Sequence, residues 1–285
     1  MKEERLTLWA PAKLNLTLGV FRRRADGYHE IRSVMQKISL YDTLTFQRAD
    51  EISLTCDVKY LPTDERNLCV RAAQAYFEKS GIEGGVAIRV RKAIPVGAGL
   101  GGGSADAACT LQALQRLYEP MEEKELYKLA LSLGADVPFC LNSAPACLCE
   151  GVGEILTPLP CGGDKKIYLV LVKNDRKLST AQVYGAFDEL PYEDVPGDEA
   201  VLRALQTSDA RLLAENLFNS LERPVFLQKE GLSRLREKML SLGALGARMS
   251  GAGPTVYGVF EEQERAMEAA RAFEDAPFCR VAYLL

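Results

Sequence analysis

The residues most suggestive of chemistry lie between positions 95 and 106, read as Pro95-Val96-Gly97-Ala98-Gly99-Leu100-Gly101-Gly102-Gly103-Ser104-Ala105-Asp106. A strand-like alternation precedes them and a helical run of small residues follows. Glycines let a main chain approach a ligand closely, and the free N–H groups and dipole of a helix start favour a phosphate. Ser104 is placed either to cap that helix or to turn its hydroxyl toward a phosphate or a metal. Gly97-x-Gly99-x-x-Gly102 fits the dinucleotide pattern, but no second strand ending in an acid follows about 20 residues on. A Walker loop would need a lysine, and none occurs between Lys92 and Lys124. The loop reads as a phosphate cradle of neither standard kind.

Four further groups stand out. Lys13 and Asn15, in Pro11-Ala12-Lys13-Leu14-Asn15-Leu16, share one face of an apolar strand. Tyr28 and His29 follow the turn dipeptide Asp26-Gly27, which exposes both side chains. Asp136, in Gly134-Ala135-Asp136-Val137-Pro138, has by itself the look of a helix N-cap. Ser179-Thr180-Ala181-Gln182 reads equally as a capping box, and the nearby Tyr184 as a core residue.

Taken together these motifs resemble the GHMP kinases, the superfamily of galactokinase, homoserine kinase and mevalonate kinase. Pro11–Leu16 looks like the first motif, the glycine-serine stretch like the second, and Ser250-Gly251-Ala252-Gly253-Pro254-Thr255 like the third. The combination of Asp26-Gly27-Tyr28-His29-Glu30 with Gly134–Pro138 is similar to one branch, which phosphorylates a hydroxyl of a cytidine-diphosphate-linked polyol. The resemblance implies ATP as phosphoryl donor with Mg2+, and ATP contacts along Pro95, Gly97, Gly99, Leu100, Gly101, Gly102, Gly103 and Ser104. It implies Asp136 as proton acceptor, Lys13 as the cation beside it, and Asn15 on the substrate. It places cytosine at Tyr28 and His29, with Thr180 and Tyr184 as a second wall. The metal ligands are unassigned, Ser104 being a candidate. Ala105 and Ala252 stand where relatives often carry serine, which leaves Ser104 as the more secure hydroxyl. Another GHMP kinase, acting on homoserine for instance, has no use for a cytosine pocket. A non-catalytic nucleotide-binding regulator on the same fold would be expected to have lost the Lys13/Asp136 pair, and both residues are present.

The elements that must hold these residues can be read from periodicity. Strands are predicted over residues 6–9, 14–20, 43–47, 52–57 and 86–91, and helices over 68–80, 105–117 and 122–133. Residues 159–166 are the best linker candidate. Beyond them a buried strand (167–172), several helices including 212–221 and 232–242, two strands flanking the 250–254 turn, a helix (262–273) and a last strand (280–284) follow. That β-α-β-β-α-β order is the split βαβ arrangement. The expected fold is therefore α+β: a mixed N-terminal domain over 1–160 and a ferredoxin-like C-terminal domain with extra helices over 161–285, the cleft between them being the expected site.

Composition narrows the classes. Over 285 residues, with 26% charged and a net charge of −4, the chain lacks the basic excess of a nucleic-acid-coating protein. Its eight cysteines are scattered with no C-x-x-C pair, which points to thiols in a reducing compartment rather than a zinc site. A single histidine, with no nucleophile elbow, argues against a Ser-His-Asp hydrolase. The N-terminal stretch has no apolar core of a secretory signal, and no run approaches the ~18 apolar residues of a membrane span. A cytoplasmic enzyme, monomer or weak homodimer, with a small-molecule partner and neither nucleic acid nor membrane, is the expectation.

Overall fold

A computed structural model describes residues 5–174 and 178–285. The chain begins β1 (Arg5–Asn15), β2 (Thr17–Arg23), β3 (His29–Ala49), β4 (Ser53–Cys56), α1 (Leu68–Ser80) and β5 (Gly85–Arg91). It continues α2 (Gly102–Leu117), α3 (Glu123–Leu133), α4 (Val137–Leu141), β6 (Ala146–Gly151), β7 (Ile155–Pro158) and β8 (Tyr168–Lys173). Then come α5 (Thr180–Asp188), α6 (Glu199–Thr207), α7 (Ala210–Glu215), β9 (Phe218–Asn219), α8 (Glu222–Gln228) and α9 (Glu230–Ser241). The last elements are β10 (Gly246–Met249), β11 (Val256–Phe260), α10 (Gln263–Arg271) and β12 (Phe278–Tyr283). Among the described residues no helix is long and apolar enough to cross a membrane.

Two compact units share this chain, and they interleave. One comprises Leu40–Pro95, Gly101–Ser143 and the beginning of the chain to Ala12; the other comprises Lys13–Ser39, Val96–Leu100 and Ala144–Leu285. Neither has an edge near residue 160. The chain passes from one to the other inside β1 and inside β3, where composition does not change, so linker signals do not reveal the passage.

In the first unit the second half of β3 pairs antiparallel with β5, from Thr43↔Arg91 to Ala49↔Gly85, and β4 adds to β5 in parallel. Leu44, Phe46, Ile88 and Val90 alternate inward and are all buried. Helix α1 is set by Asn67, whose side chain accepts from Cys69 N–H, and by Gly81, left-handed at φ 67°. The Tyr76 hydroxyl, within 2.9 Å of Gln115 and 2.7 Å of the Glu119 carbonyl, fastens it to the end of α2.

In the second unit β10-β11-β8-β12 form an antiparallel sheet, the order of a split βαβ fold, with α5–α9 inside the first crossover. The first half of β3 pairs with β2 and with β6, which turns back as β7. Two local expectations change, and one hairpin is new. The strand predicted over 14–20 is broken at Leu16. The helix predicted over 212–221 stops at Asn216, because residues 218–219 pair in parallel with β2. The hairpin β6–β7 had no turn dipeptide strong enough to announce it.

The exit of β5 toward the glycine loop is held by a buried ionic cluster inside the first unit. Asp42 Oδ1 accepts the N–H groups of Ala93 (2.6 Å) and Ile94 (2.9 Å), and its other oxygen accepts from Lys92 Nζ. The same ammonium reaches Asp106 Oδ2, in the second turn of α2, at 2.6 Å. Burial works against the charge of Lys92, but the two carboxylates outweigh it and hold its pKa above that of an ordinary lysine. Burial lifts the Asp106 carboxyl to about 7, Lys92 opposing and Asp42 reinforcing the rise. Its Oδ1 is buried with no hydrogen-bond partner among the described residues.

Two outcomes follow from this cluster. Lys92→Met leaves buried carboxylates without their cation and should destabilise the fold by about 3–5 kcal/mol in urea denaturation. The folded-state pKa of Asp106 lies above its unfolded value of about 3.9. Its contribution to stability is therefore complete below about pH 4 and is lost as pH rises through about 7. Asp106→Asn should remove that part of the slope when denaturation is repeated across this range.

Candidate active site

The glycine loop and the glycine turn meet within the second unit. Ser250 Oγ donates to the Gly99 carbonyl at 2.9 Å, and Thr255 N–H to the Ala98 carbonyl at 3.3 Å. Residue 99 has φ +77°, and a Cβ built on it would stand 2.2 Å from the Ser250 carbonyl oxygen. Only glycine fits there. Asn219, in the short strand β9, steadies the turn by donating to the carbonyls of Met249 (2.7 Å) and Gly251 (2.9 Å). Nothing in the local sequence around Asn219 signals this task.

In the first unit, α2 begins at Gly102, three residues earlier than predicted, with Gly101 at φ 69° as its N-cap and no side-chain cap. Ser104 is thus the third helical residue and not the cap, which removes the capping alternative. Gly103 is exposed and a Cβ there would meet only Leu68, at an ordinary 3.6 Å. Ala105 is buried, so the missing hydroxyl at that position belongs to the packed side of α2. The first N–H groups of such a helix have no carbonyl partner within it and are suited to an anion.

Lys13 is buried, with 4% of its surface exposed, and its main-chain N–H donates to the Leu100 carbonyl at 2.9 Å, joining β1 to the glycine loop. Its Nζ donates to Asn15 Oδ1 at 2.9 Å. Asn15 Nδ2 donates to Ser33 Oγ (2.8 Å), which donates to the Thr17 carbonyl (2.6 Å). Thr17 Oγ1 donates to Asp198 (2.7 Å), and Arg32 closes on the same carboxylate (2.8 Å). The direction of each donor fixes the Asn15 amide, so its oxygen must face Lys13. Ser33, Thr17 and Asp198 escaped the sequence reading because the chain of bonds joins elements up to 181 residues apart.

At the other end of the same strands, the exposure expected from the Asp26-Gly27 turn holds for Tyr28 but not for His29, which is buried at the start of β3 with its Nε2 2.6 Å from Asp188 Oδ1. Tyr184 lies against the imidazole, ring centroids 5.0 Å apart, and Phe187 meets it edge-on at 6.1 Å. The structure brings Tyr184 and His29 together and adds Phe187 and Asp188. Tyr28 is 63% exposed and makes no ring contact among the described residues; Thr180 is exposed at the first position of α5, behind the Ser179 cap. In the first unit, Asp136 occupies the N-cap position of α4, but its side chain makes no capping hydrogen bond. The N-cap reading thus holds for its position but not for a capping hydrogen bond.

Residues 67–144 match the family described as GHMP kinases N terminal domain, and residues 201–278 match GHMP kinases C terminal. A 4-diphosphocytidyl-2-C-methyl-D-erythritol kinase of Clostridium novyi (strain NT) is 41% identical over 267 residues, 93% of each chain. The chain belongs to the GHMP kinases. It is accordingly a kinase, with ATP as the phosphoryl donor. A crystal structure of a 4-(cytidine 5'-diphospho)-2C-methyl-D-erythritol kinase superposes with a TM-score of 0.84 at 38% identity, covering 98% of this chain and 99% of the other. A homoserine kinase from Cytophaga hutchinsonii shares the fold, TM-score 0.74, at 21% identity over 99% and 94% of the two chains.

The two glycines separate packing from ligand approach within this GHMP loop. Gly99→Ala must push a main-chain carbonyl aside and adopt a left-handed φ, and should cost at least about 1–2 kcal/mol of stability. Gly103→Ala, inside a helix with room for a methyl, should be neutral or stabilising by up to about 1 kcal/mol. Urea titration of both variants decides.

Proposed function

We propose that this kinase phosphorylates the 2-hydroxyl of 4-diphosphocytidyl-2-C-methyl-D-erythritol, giving the 2-phosphate and ADP, a step of the non-mevalonate route to isoprenoid precursors. The observation that carries the proposal is identity near 40% over almost the whole chain to kinases of that name. The intact Asp26–Glu30 and Gly134–Pro138 motifs support it. The likeness to homoserine kinase, at 21% identity, speaks for the fold alone.

In the proposed reaction the substrate hydroxyl oxygen forms a bond to the γ-phosphorus, the bond to the β,γ-bridging oxygen breaks, and ADP leaves with that electron pair. Asp136 takes the hydroxyl proton, and the ammonium of Lys13 opposes the negative charge that develops on the reacting oxygens. The N–H groups at the start of α2 and the glycine loop receive the ATP phosphates. Asn15 holds the polyol, and Tyr28, His29, Thr180 and Tyr184 the cytidine end. Mg2+, when bound, neutralises phosphate charge. Among the described residues no three His, Cys, Asp or Glu side chains converge as a metal cage. A magnesium ion carried on nucleotide phosphates needs only one or two protein oxygens, and the Ser104 hydroxyl in the first turn of α2 fits that requirement. In sequence order the family matches fall on either side of residue 160, which supports N- and C-terminal domains over 1–160 and 161–285. We take the enzyme to work in the cytoplasm, as a monomer or weak homodimer, without nucleic acid or membrane.

A phosphoryl-transfer assay comparing the cytidine-diphosphate substrate with homoserine and mevalonate tests the assignment, and turnover of either alternative above the first would overturn it. Asp136→Asn should lower single-turnover rates by about 10²–10⁴ while ATP and substrate still bind. A rate within about threefold of wild type would remove Asp136 from the chemistry.

A further inference from the structure

The side chain of His29 is 6% exposed and its Nε2 lies 2.6 Å from Asp188 Oδ1, the last residue of α5. The same helix lays Tyr184 on the imidazole and sets Phe187 against its edge, so the ring's plane is held from two sides. An ionised carboxylate offers only lone pairs, so a contact of this length requires the hydrogen on Nε2. In a neutral imidazole that leaves Nδ1 as an acceptor with no hydrogen of its own.

We propose that Asp188 is a positioning residue that sets nucleobase specificity, holding His29 in the tautomer whose Nδ1 accepts the exocyclic amino group of cytosine. The inference rests on the reading of His29 as the nucleobase residue. Cytosine presents an amino donor where uracil presents a carbonyl oxygen. A lone pair on Nδ1 completes a hydrogen bond to the first. Facing the second, it meets another lone pair, and both buried acceptors go unsatisfied. Without Asp188 the ring proton could sit on either nitrogen, and an Nδ1–H would welcome uracil. The role is invisible in sequence because the two residues are 159 positions apart.

His29 is the chain's only histidine, so the imidazole ¹⁵N spectrum of the full-length protein reports this one residue. In the neutral ring, reached at the alkaline end of a pH series, the wild type should show a protonated Nε2 and a bare Nδ1. Asp188→Ala should show a mixture of tautomers. In steady-state assays Asp188→Ala should lower the cytidine-over-uridine ratio of kcat/KM at least about tenfold. Asp188→Asn fills the same space, but its amide can offer Nε2 either an oxygen or an NH2, so it too should show a mixture of tautomers and lower the ratio. A wild-type spectrum with the proton on Nδ1 would overturn the proposal without recourse to any variant. So would an Asp188→Ala enzyme slowed equally on both substrates with its tautomer unchanged. If the wild type used both substrates equally, the nucleobase reading of His29 would fall and the specificity role with it; an Nε2–H spectrum would still identify the clamp itself.

Discussion

The close approach of two main chains at Gly99 and Ser250 is the contact on which the rest of the second unit's chemistry depends. A carbonyl oxygen occupies the space where any other residue would carry its Cβ. The loop is therefore seated by backbone rather than by side chains, and its position does not vary with rotamers. From that seat the Leu100 carbonyl receives the Lys13 N–H, which fixes the register of β1 relative to the loop. With its backbone seated there, the buried Lys13 side chain is confined further by its bond to Asn15, whereas a surface lysine wanders over several ångströms of rotamer space.

Burying that cation has a cost, which the polar chain behind it offsets. An ammonium removed from water needs directed acceptors. Asn15 supplies one, but an amide can present either its oxygen or its nitrogen. Ser33 decides which, because its own hydrogen is already committed to the Thr17 carbonyl and only its lone pairs remain for Asn15 Nδ2. Asp198 and Arg32 then complete the network where β2, β3 and the start of α6 come together. Each bond is modest, about 1 kcal/mol net, yet a break anywhere would leave a buried group unsatisfied, which costs more than the bond itself contributed.

Much of this was legible in the residues. The glycine loop stood out by its composition as a candidate phosphate cradle, and α1 and α3 were visible from apolar periodicity and a following glycine. The split βαβ order was readable because each strand is short, apolar and bounded by turn residues. What escaped were features that sequence neighbourhood does not encode. Two of the passages between units occur inside strands, β1 and β3. The start of α2 shifted to Gly102 because three successive glycines carry no side-chain signal, and a helix can begin at any of them once the loop before it is pinned. Residues 218–219 were pulled from an apparent helix into a strand by pairing with β2, a tertiary preference overriding a local one. Asn219, Ser33 and Asp188 look like ordinary polar residues until their partners arrive from far along the chain.

The placement of these partners divides the molecule into parts with different freedom to change. The glycine turn lies between β10 and β11, both paired in the antiparallel sheet, and Asn219 holds its carbonyls; a shift there would disturb the sheet register. The side chains around His29 come instead from α5, in the crossover between β8 and β10, outside the sheet. A crossover helix can be replaced or re-aimed without altering the strand pairing on which the loop is seated. The likeness in fold to a homoserine kinase at 21% identity is compatible with that division. On the proposed reading, phosphate handling is built where the sheet allows little variation, and recognition of the rest of the substrate where the connection tolerates it. A fold arranged so can exchange helices of the crossover while the loop and turn keep a seat set by backbone contacts.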